Sequence, residues 1–163
     1  MTFAELNKLN RLLSDISYSI EKTKGVVLYP KLKEVVSSIE EGGITLINQS
    51  RQMYLSTTLS SIVGELMIKA NSNNPVHIGI VSANRDLSVK FIHESANYIL
   101  AYGEKFLNLT PDYVDINELN HKKSEVQLNE STLKVFNTTP DSFCSHRLTH
   151  LFIDNAAHIK NLD

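Results

Sequence analysis

The spacing of apolar residues predicts helices that alternate with short strands. Apolar side chains recur at helical intervals through residues 2–23, which predicts one amphipathic helix of about six turns. Its apolar face is expected to pack on its own domain, and docking of a partner protein is the alternative. Lys24 and Gly25 form a plausible helix end. A second helix is expected over residues 31–40, because Pro30 suits a first helical turn.

Three apolar runs further along the chain predict core strands. Ile44–Asn48 is expected to be the first of them, and residues 76–81 form a nearly continuous apolar run, typical of a strand covered on both faces. The third run, residues 148–153, precedes an acidic residue. Helical spacing over residues 59–70 and 85–102 predicts two helices between these strands.

The stretch between the second and third runs is less regular. Residues 125–128 and 132–136 alternate apolar and polar positions around Asn129, which predicts a hairpin. Residues 107–123 and 138–147 predict an irregular excursion and a polar loop. Strands separated by helices indicate an α/β domain with a mostly parallel sheet flanked by helices.

Composition restricts the function classes. A chain of 163 residues is expected to form one compact domain. Its net charge of -2 gives no support to DNA binding driven by overall charge. The lone cysteine excludes an internal disulfide and favours a reducing compartment. No apolar segment predicts a signal peptide or a membrane span.

A metal site is the weaker interpretation of the histidine-rich end of the chain. Cys144, His146, His150 and His158 are donors that zinc accepts, but their spacing fits no standard zinc motif. We therefore predict no bound metal.

The first predicted strand is followed by a polar loop and a helix start, the arrangement in which a P-loop protein binds phosphate. The usual loop carries a Gly-Lys pair before its Ser or Thr. Here Tyr54 and Leu55 occupy that pair, and Ser56 and Thr57 follow. The spacing therefore predicts a P-loop-like position from which the phosphate-binding groups have been lost.

A matching feature lies about a hundred residues downstream, where the last apolar run ends in Asp154 and Asn155. This has the form of a Walker B strand, whose Asp holds magnesium and whose following Glu polarises water. An amide at residue 155 cannot act as that base. The pattern predicts loss of catalysis at this end of the site as well.

Together these pieces are similar to the ATPase domain of the large terminase subunit of T-even-like tailed phages, the DNA-packaging motor, over residues 28–159. The family's Tyr-Gln pair corresponds to Tyr29 and Pro30, and its S-R-Q-x-G-K-T loop corresponds to residues 50–56. The hairpin, the turn at residues 139–142 and the I-D-E strand end at residues 153–155 also correspond in order.

The resemblance implies a P-loop NTPase-like fold of the ASCE or RecA-like type in residues 26–163, after the N-terminal amphipathic helix of residues 1–25. It assigns transition-state stabilisation to an arginine at the position of Arg51. Because the lysine and the catalytic Glu are replaced, it implies a pseudo-ATPase with no cofactor. The family's nuclease domain is expected to be absent. The degenerate nucleotide-site positions are Tyr29, Ser50, Arg51, Gln52, Tyr54, Leu55, Ser56, Thr57, Asp154 and Asn155.

Two functional hypotheses follow from the resemblance. The first is a catalytically inactive phage protein that acts by binding, as a host-takeover or regulatory factor in the host cytoplasm that contacts DNA or host RNA polymerase. The second is a non-hydrolysing nucleotide-binding regulator of DNA packaging. The basic side chains that we expect at a nucleic-acid or protein contact are Arg51, Arg85, Lys122, Lys123 and Arg147, with Arg51, Arg85 and Arg147 near one edge of the sheet.

Overall fold

The fold is seen in a computed structural model that describes residues 2–47, 54–70, 73–106, 118–139, 141–144 and 146–154. The elements are α1 (Phe3–Ser14), α2 (Ile16–Lys24), α3 (Pro30–Glu41), α4 (Leu55–Lys69), β1 (His77–Ser82), α5 (Arg85–Phe106), β2 (Asn120–Lys122), β3 (Glu125–Leu128), β4 (Ser131–Val135), α6 (Asp141–Cys144) and β5 (His150–Asp154).

The described strands form one five-stranded sheet in the order β2-β3-β4-β1-β5. β1 is parallel to both β4 and β5, whereas β2, β3 and β4 form an antiparallel meander. The α/β class is confirmed, but the described sheet is mixed rather than mostly parallel. The polar strand β2 lies in a stretch predicted to be irregular, and its pairing with β3 adds one of the two antiparallel ladders.

The N-terminal helix is two helices, which corrects the prediction of one continuous helix. Asp15 has an extended backbone with φ -126° and ψ 100°. Its carboxylate accepts a hydrogen bond from the backbone N–H of Tyr18 at 2.8 Å, which caps the start of α2. The apolar spacing continues across this break, so Leu12, Ile16 and Ile20 all enter the main core.

The predicted first core strand, Ile44–Asn48, is wrong for the part that the structure describes. Residues 44–47 pair with no described strand, and Ile44 and Leu46 are 95% and 94% exposed. An apolar run forms a strand only where a partner edge and a covering face are available to it. Asn48 lies outside the described residues.

Other elements match the predictions closely. Pro30 occupies the first turn of α3, and Asn129 adopts a left-handed conformation (φ 49°) in the turn between β3 and β4. α5 continues four residues beyond its predicted end at residue 102. The predicted polar loop at residues 138–147 contains the short helix α6.

The main core joins the sheet to helices α1 to α5, and α4 and α5 share the most extensive helix contact. α4 is buried around most of its circumference, and the buried residues include Gly64 and Glu65. A Cβ atom on Gly64 would lie 2.5 Å from Cδ1 of Tyr98, so the missing side chain permits close approach of α5.

α5 also fixes the N-terminal helices in place. The ammonium group of Lys105, near the end of α5, donates hydrogen bonds to the carbonyl oxygens of Thr23 at 2.6 Å and Lys22 at 3.4 Å. These carbonyls belong to the last turn of α2, where a positive charge is stabilised by the helix dipole. No described helix is long and apolar enough to cross a membrane.

Candidate functional site

The candidate site lies where two parallel strands end. In the register of β1 and β5, Ser82 is paired with Asp154, so both residues mark the carboxyl edge of the sheet. α5 begins at Arg85, three residues after β1. Ligands of open α/β sheets bind outside this edge, because the loops and helix starts that follow the strands converge there.

α4 begins at the same edge, although it is distant in sequence. The hydroxyl of Ser56, in its first turn, donates a hydrogen bond to the carboxylate of Asp154, at 3.1 Å from Oδ1 and 3.2 Å from Oδ2. Ninety-eight residues separate the two. The first turn of a helix carries unpaired N–H groups and a partial positive charge. A hydroxyl, a carboxylate and a helix start therefore meet in one place.

The residues at the Gly-Lys positions have other roles. Tyr54 is the N-cap of α4 in a left-handed conformation (φ 56°), its side chain makes no capping hydrogen bond, and it is 68% exposed. A left-handed conformation is unusual for a residue other than glycine. Leu55 is half-buried and packs against the main hydrophobic core. Thr57 is also half-buried, and its carbonyl accepts hydrogen bonds from the Ser60 and Ser61 hydroxyls, both at 2.9 Å.

A serine pair that the sequence analysis did not single out lies at the same edge, around the turn that follows β1. The hydroxyl of Ser82 donates to the carbonyl of Asn84 at 2.8 Å, so the hydroxyl of Ser88, 2.7 Å away, donates to Ser82. The side chain of Asn84 accepts from the backbone N–H of Asp86 at 2.8 Å and caps α5. These bonds fix the β1–α5 turn beside Asp154. The only signal in the sequence is small polar residues directly after an apolar strand.

The predicted basic residues that the structure describes do not gather at this edge. Arg85 is exposed at the start of α5, beyond the carboxyl end of β1, whereas Arg147 precedes the amino end of β5. Because β1 and β5 are parallel, the two arginines lie at opposite ends of the strands, which corrects the prediction that they share an edge. Lys122 and Lys123 lie at the turn between β2 and β3, across three strands from β5.

The remaining candidate positions divide into two groups. Tyr29 is the exposed N-cap of α3, and no described contact joins it to Asp154. Ser50, Arg51, Gln52 and Asn155 lie outside the described residues.

Of the four donors in the weaker zinc interpretation, His146 and His150 are described, and they are engaged in different contacts. The His146 ring packs edge-on against Phe136, with centroids 4.8 Å apart. One nitrogen of His150 lies 2.9 Å from the Thr149 hydroxyl, and burial lowers the pKa of this imidazole. Over the described ranges, no group of three or more His, Cys, Asp or Glu side chains is arranged to hold a metal ion. His158 and the side chain of Cys144 are outside those ranges.

No protein-family model matches the chain, and a search of curated proteins gives no significant match. The class that the structure defines is an α/β domain with a mixed five-stranded sheet flanked by helices. Any more specific assignment depends on the motifs and on the geometry of the carboxyl edge.

Proposed function

We propose that this protein is a catalytically inactive phage factor with a terminase-ATPase-like fold, which acts by binding. Its targets are the host transcription machinery, DNA, or both, and its role is host takeover or regulation. The motif resemblance and the geometry of the site both support this proposal.

The observation that carries this proposal is the environment of Tyr54 and Leu55. A P-loop needs a small residue where its backbone approaches phosphate, and a lysine that reaches the β- and γ-phosphates. Here an exposed aromatic ring occupies the first position, and the second side chain packs into the core. Losing preorganised charge of this kind typically lowers a rate by about two to three orders of magnitude.

A protein partner is supported by the exposed segment that contains Ile44 and Leu46. Two nearly fully exposed, large aliphatic side chains two residues apart are costly in water, and burying each against a partner would contribute roughly 1.5–3 kcal/mol. The net charge of -2 gives DNA binding less support than a protein contact. We therefore place the host transcription machinery first and DNA second.

The first experiment measures retention of purified host RNA polymerase, and of a DNA duplex, by the full chain. We expect the polymerase to be retained, and we expect the double variant Ile44→Asp/Leu46→Asp to lower its affinity about tenfold or more. Phe3→Asp is the matched control, since Phe3 is an exposed apolar residue of α1. Absence of affinity for both targets would refute the proposed function.

A second candidate function is magnesium-nucleotide binding without hydrolysis, as in a regulator of DNA packaging. The hydrogen bond between Ser56 and Asp154 favours it, because a hydroxyl and a carboxylate at a helix start fit magnesium and phosphate. Ser56 and Asp154 would hold the ion, which would supply charge neutralisation for the phosphates.

This candidate predicts that ATP with magnesium raises the melting temperature, and that Asp154→Ala abolishes the increase. Ligand at 100 times its dissociation constant adds about 2.7 kcal/mol of stability, which a thermal-shift titration resolves easily. Glu104→Ala, an exposed carboxylate on α5, is the control. A flat titration of the unaltered chain would exclude the candidate and leave the partner-binding proposal intact.

A further inference from the structure

β5 is an outer strand of the described sheet, and β1 is the only described strand that pairs with it. Its Leu151 and Ile153 are each 41% exposed. The apolar segment of residues 44–47 pairs with no described strand, and Ile44 and Leu46 within it are almost completely exposed. A free strand edge presents unpaired backbone N–H and C=O groups. The described part of the chain therefore offers both an open edge and an unpaired, strand-like segment.

The direction of α4 indicates how this segment lies relative to β5. Ser60 of α4 donates a hydrogen bond to Glu94 of α5 at 3.3 Å. About one turn further along both helices, Tyr98 donates to Glu65, so the two helices are parallel. α5 starts at the carboxyl edge after β1 and packs along β1 and β4, so it runs back toward the amino ends of the strands. α4 follows the same course.

The chain between α3 and α4 must travel in the opposite direction. α3 packs against α4, and Glu40 near its end lies close to Lys69, because burial raises the pKa of Glu40 and the charge of Lys69 opposes this shift. Ser56 fixes the start of α4 beside Asp154. The thirteen residues 42–54 thus lead from the end of α4 back to its start, over about 22 Å, in the direction of β5. An extended chain of this length reaches about 43 Å, which accommodates a four-residue strand and a turn.

The handedness of strand connections selects the edge on which the segment fits. α4 and α5 share one core and lie on the same face of the sheet. α5 leads from β1 toward the side of β4. Because connections between parallel strands are right-handed in nearly all proteins, a connection through α4 into β1 approaches from the other side of β1, where β5 lies. The open position on that side is the free edge of β5.

We propose that residues 44–47 dock on the free edge of β5 as a sixth strand, parallel to it. The exposed segment seen in this structure is the released state of the same element. Docking buries Ile44 and Leu46, through which the proposed function binds its partner. One consequence therefore rests on the proposed function: the docked strand withholds both side chains from the partner, and release presents them.

Strand alternation identifies the side chains that meet in the docked state. Phe152 packs against the main core, so its neighbours Leu151 and Ile153 face the opposite side of the sheet. The two exposed aliphatic side chains of the segment belong on the core face. This places Thr45 on the face of Leu151 and Ile153.

The experiment traps the docked strand with a disulfide. Thr45→Cys is combined with Leu151→Cys or with Ile153→Cys, in a background of Cys144→Ser. Paired strands lie about 5 Å apart, within the range that a disulfide spans, so at least one pair should form an intramolecular disulfide under mild oxidation. Thr45→Cys/His121→Cys is the matched control, because His121 is exposed on β2 at the other edge of the sheet. Circular dichroism establishes that every variant is folded.

Amide hydrogen exchange measures the docked state without engineered thiols and without a partner. Docking protects the outward N–H groups of residues 150–154. Ile44→Asp/Leu46→Asp should speed their exchange at least about twofold, since docking would bury two carboxylates. Phe3→Asp is again the control, because Phe3 is exposed on α1.

The oxidised cysteine pair is expected to retain host RNA polymerase about tenfold more weakly than the reduced pair, and reductant should restore retention. No retention by the reduced chain would refute the proposed function, while the disulfide and exchange results still decide the docking. A disulfide yield no greater than that of the control, a disulfide formed between two copies, or unchanged exchange in the aspartate variant would each overturn the docked strand. Retention that oxidation leaves unchanged would overturn its withholding role.

Discussion

Two carboxylates lie at helix α4, one at its start and one in its second half, and their surroundings differ. At its start, Ser56 donates to Asp154 at an open edge of the sheet. In its second half, the fully buried Glu65 accepts hydrogen bonds from Ser19 of α2, at 2.5 Å, and from Tyr98 of α5. Lys69 lies 3.7 Å from the second oxygen of Glu65. The comparison separates a buried carboxylate that joins three helices from one whose hydrogen bond lies at the solvent-exposed edge of the sheet.

Burial explains the contrast in energetic terms. Desolvation raises the pKa of Glu65, although the bonds from Ser19 and Tyr98 and the charge of Lys69 oppose the shift. Burial, and then the adjacent Glu65, raise the pKa of Tyr98 as well, so its hydroxyl stays a donor. A buried polar group that loses its partners costs far more than an exposed one. Mutations should therefore reduce stability more at Glu65 than at Asp154.

The largest effect is expected for Glu65→Ala, which leaves the hydroxyls of Ser19 and Tyr98 buried without their acceptor. The free energy of unfolding should fall by about 3 kcal/mol or more, measured by urea denaturation. Glu65→Gln, which keeps an acceptor oxygen, should cost less. The exposed Glu104 supplies the control, Glu104→Ala, which should change stability by about 0.5 kcal/mol at most. Equal effects at residues 65 and 104 would contradict the comparison.

Gly64→Ala tests the close contact between α4 and α5 beside Glu65. Overpacking of a core typically costs about 1–3 kcal/mol, and replacing glycine within a helix returns about 1 kcal/mol. The added methyl would meet the Tyr98 ring, so we expect a net loss of up to about 2 kcal/mol of unfolding free energy. Asn97→Ala, at an exposed position of α5, should cause no such loss. A more stable Gly64→Ala variant would show that the ring moves freely.

The pH dependence of stability sharpens the comparison further. The folded-state pKa of Glu65 is raised above its ordinary value of 4.5, so the folded chain keeps this proton longer than the unfolded chain. Stability from this group is therefore fully present below pH 4.5 and is lost as pH rises from there through the raised pKa, with a slope of at most about 1.4 kcal/mol per pH unit.

The measurement is the difference between the unaltered chain and Glu65→Gln at each pH, because other groups contribute slopes of their own. Glu21 is one: its bond with Lys33 lowers its pKa, so its contribution is lost as pH falls. A pH-independent difference would mean that Glu65 titrates alike in both states.

The smallest effect on stability is expected for Ser56→Ala. Its hydrogen bond to Asp154 is exposed to solvent, so the unfolding free energy should change by about 0.5 kcal/mol or less. Any thermal shift caused by ATP with magnesium should nevertheless decrease. A loss of stability as large as that of Glu65→Ala would mean that the bond between Ser56 and Asp154 stabilises the fold as strongly as the contacts of Glu65 do.

Periodicity predicted the helices better than the sheet. α3, α4 and α5 follow from apolar spacing and from Pro30, because a helix is stabilised by local bonds and one apolar face. The break at Asp15 was missed because the apolar pattern runs across it unchanged. Ile44 failed as a strand residue for a non-local reason: a strand needs a neighbour that the local pattern does not specify.

The motifs predicted which residues form the candidate site better than they predicted how those residues are arranged. The motifs indicated Ser56 and Asp154, but only the fold establishes that they touch across 98 residues. Glu65 was not singled out, because its burial depends on Ser19 and Tyr98, which come from two other helices. Arg147 was misplaced because strand direction, rather than charge, decides which end of the sheet it occupies.

α5 is the longest helix that the structure describes. Its 22 residues form a rod about 33 Å long. One end begins beside the sheet edge that holds Asp154, and the other is tied by Lys105 to the carbonyls that end α2. One continuous helix thus runs from the candidate site to the contact that holds the amino-terminal helices.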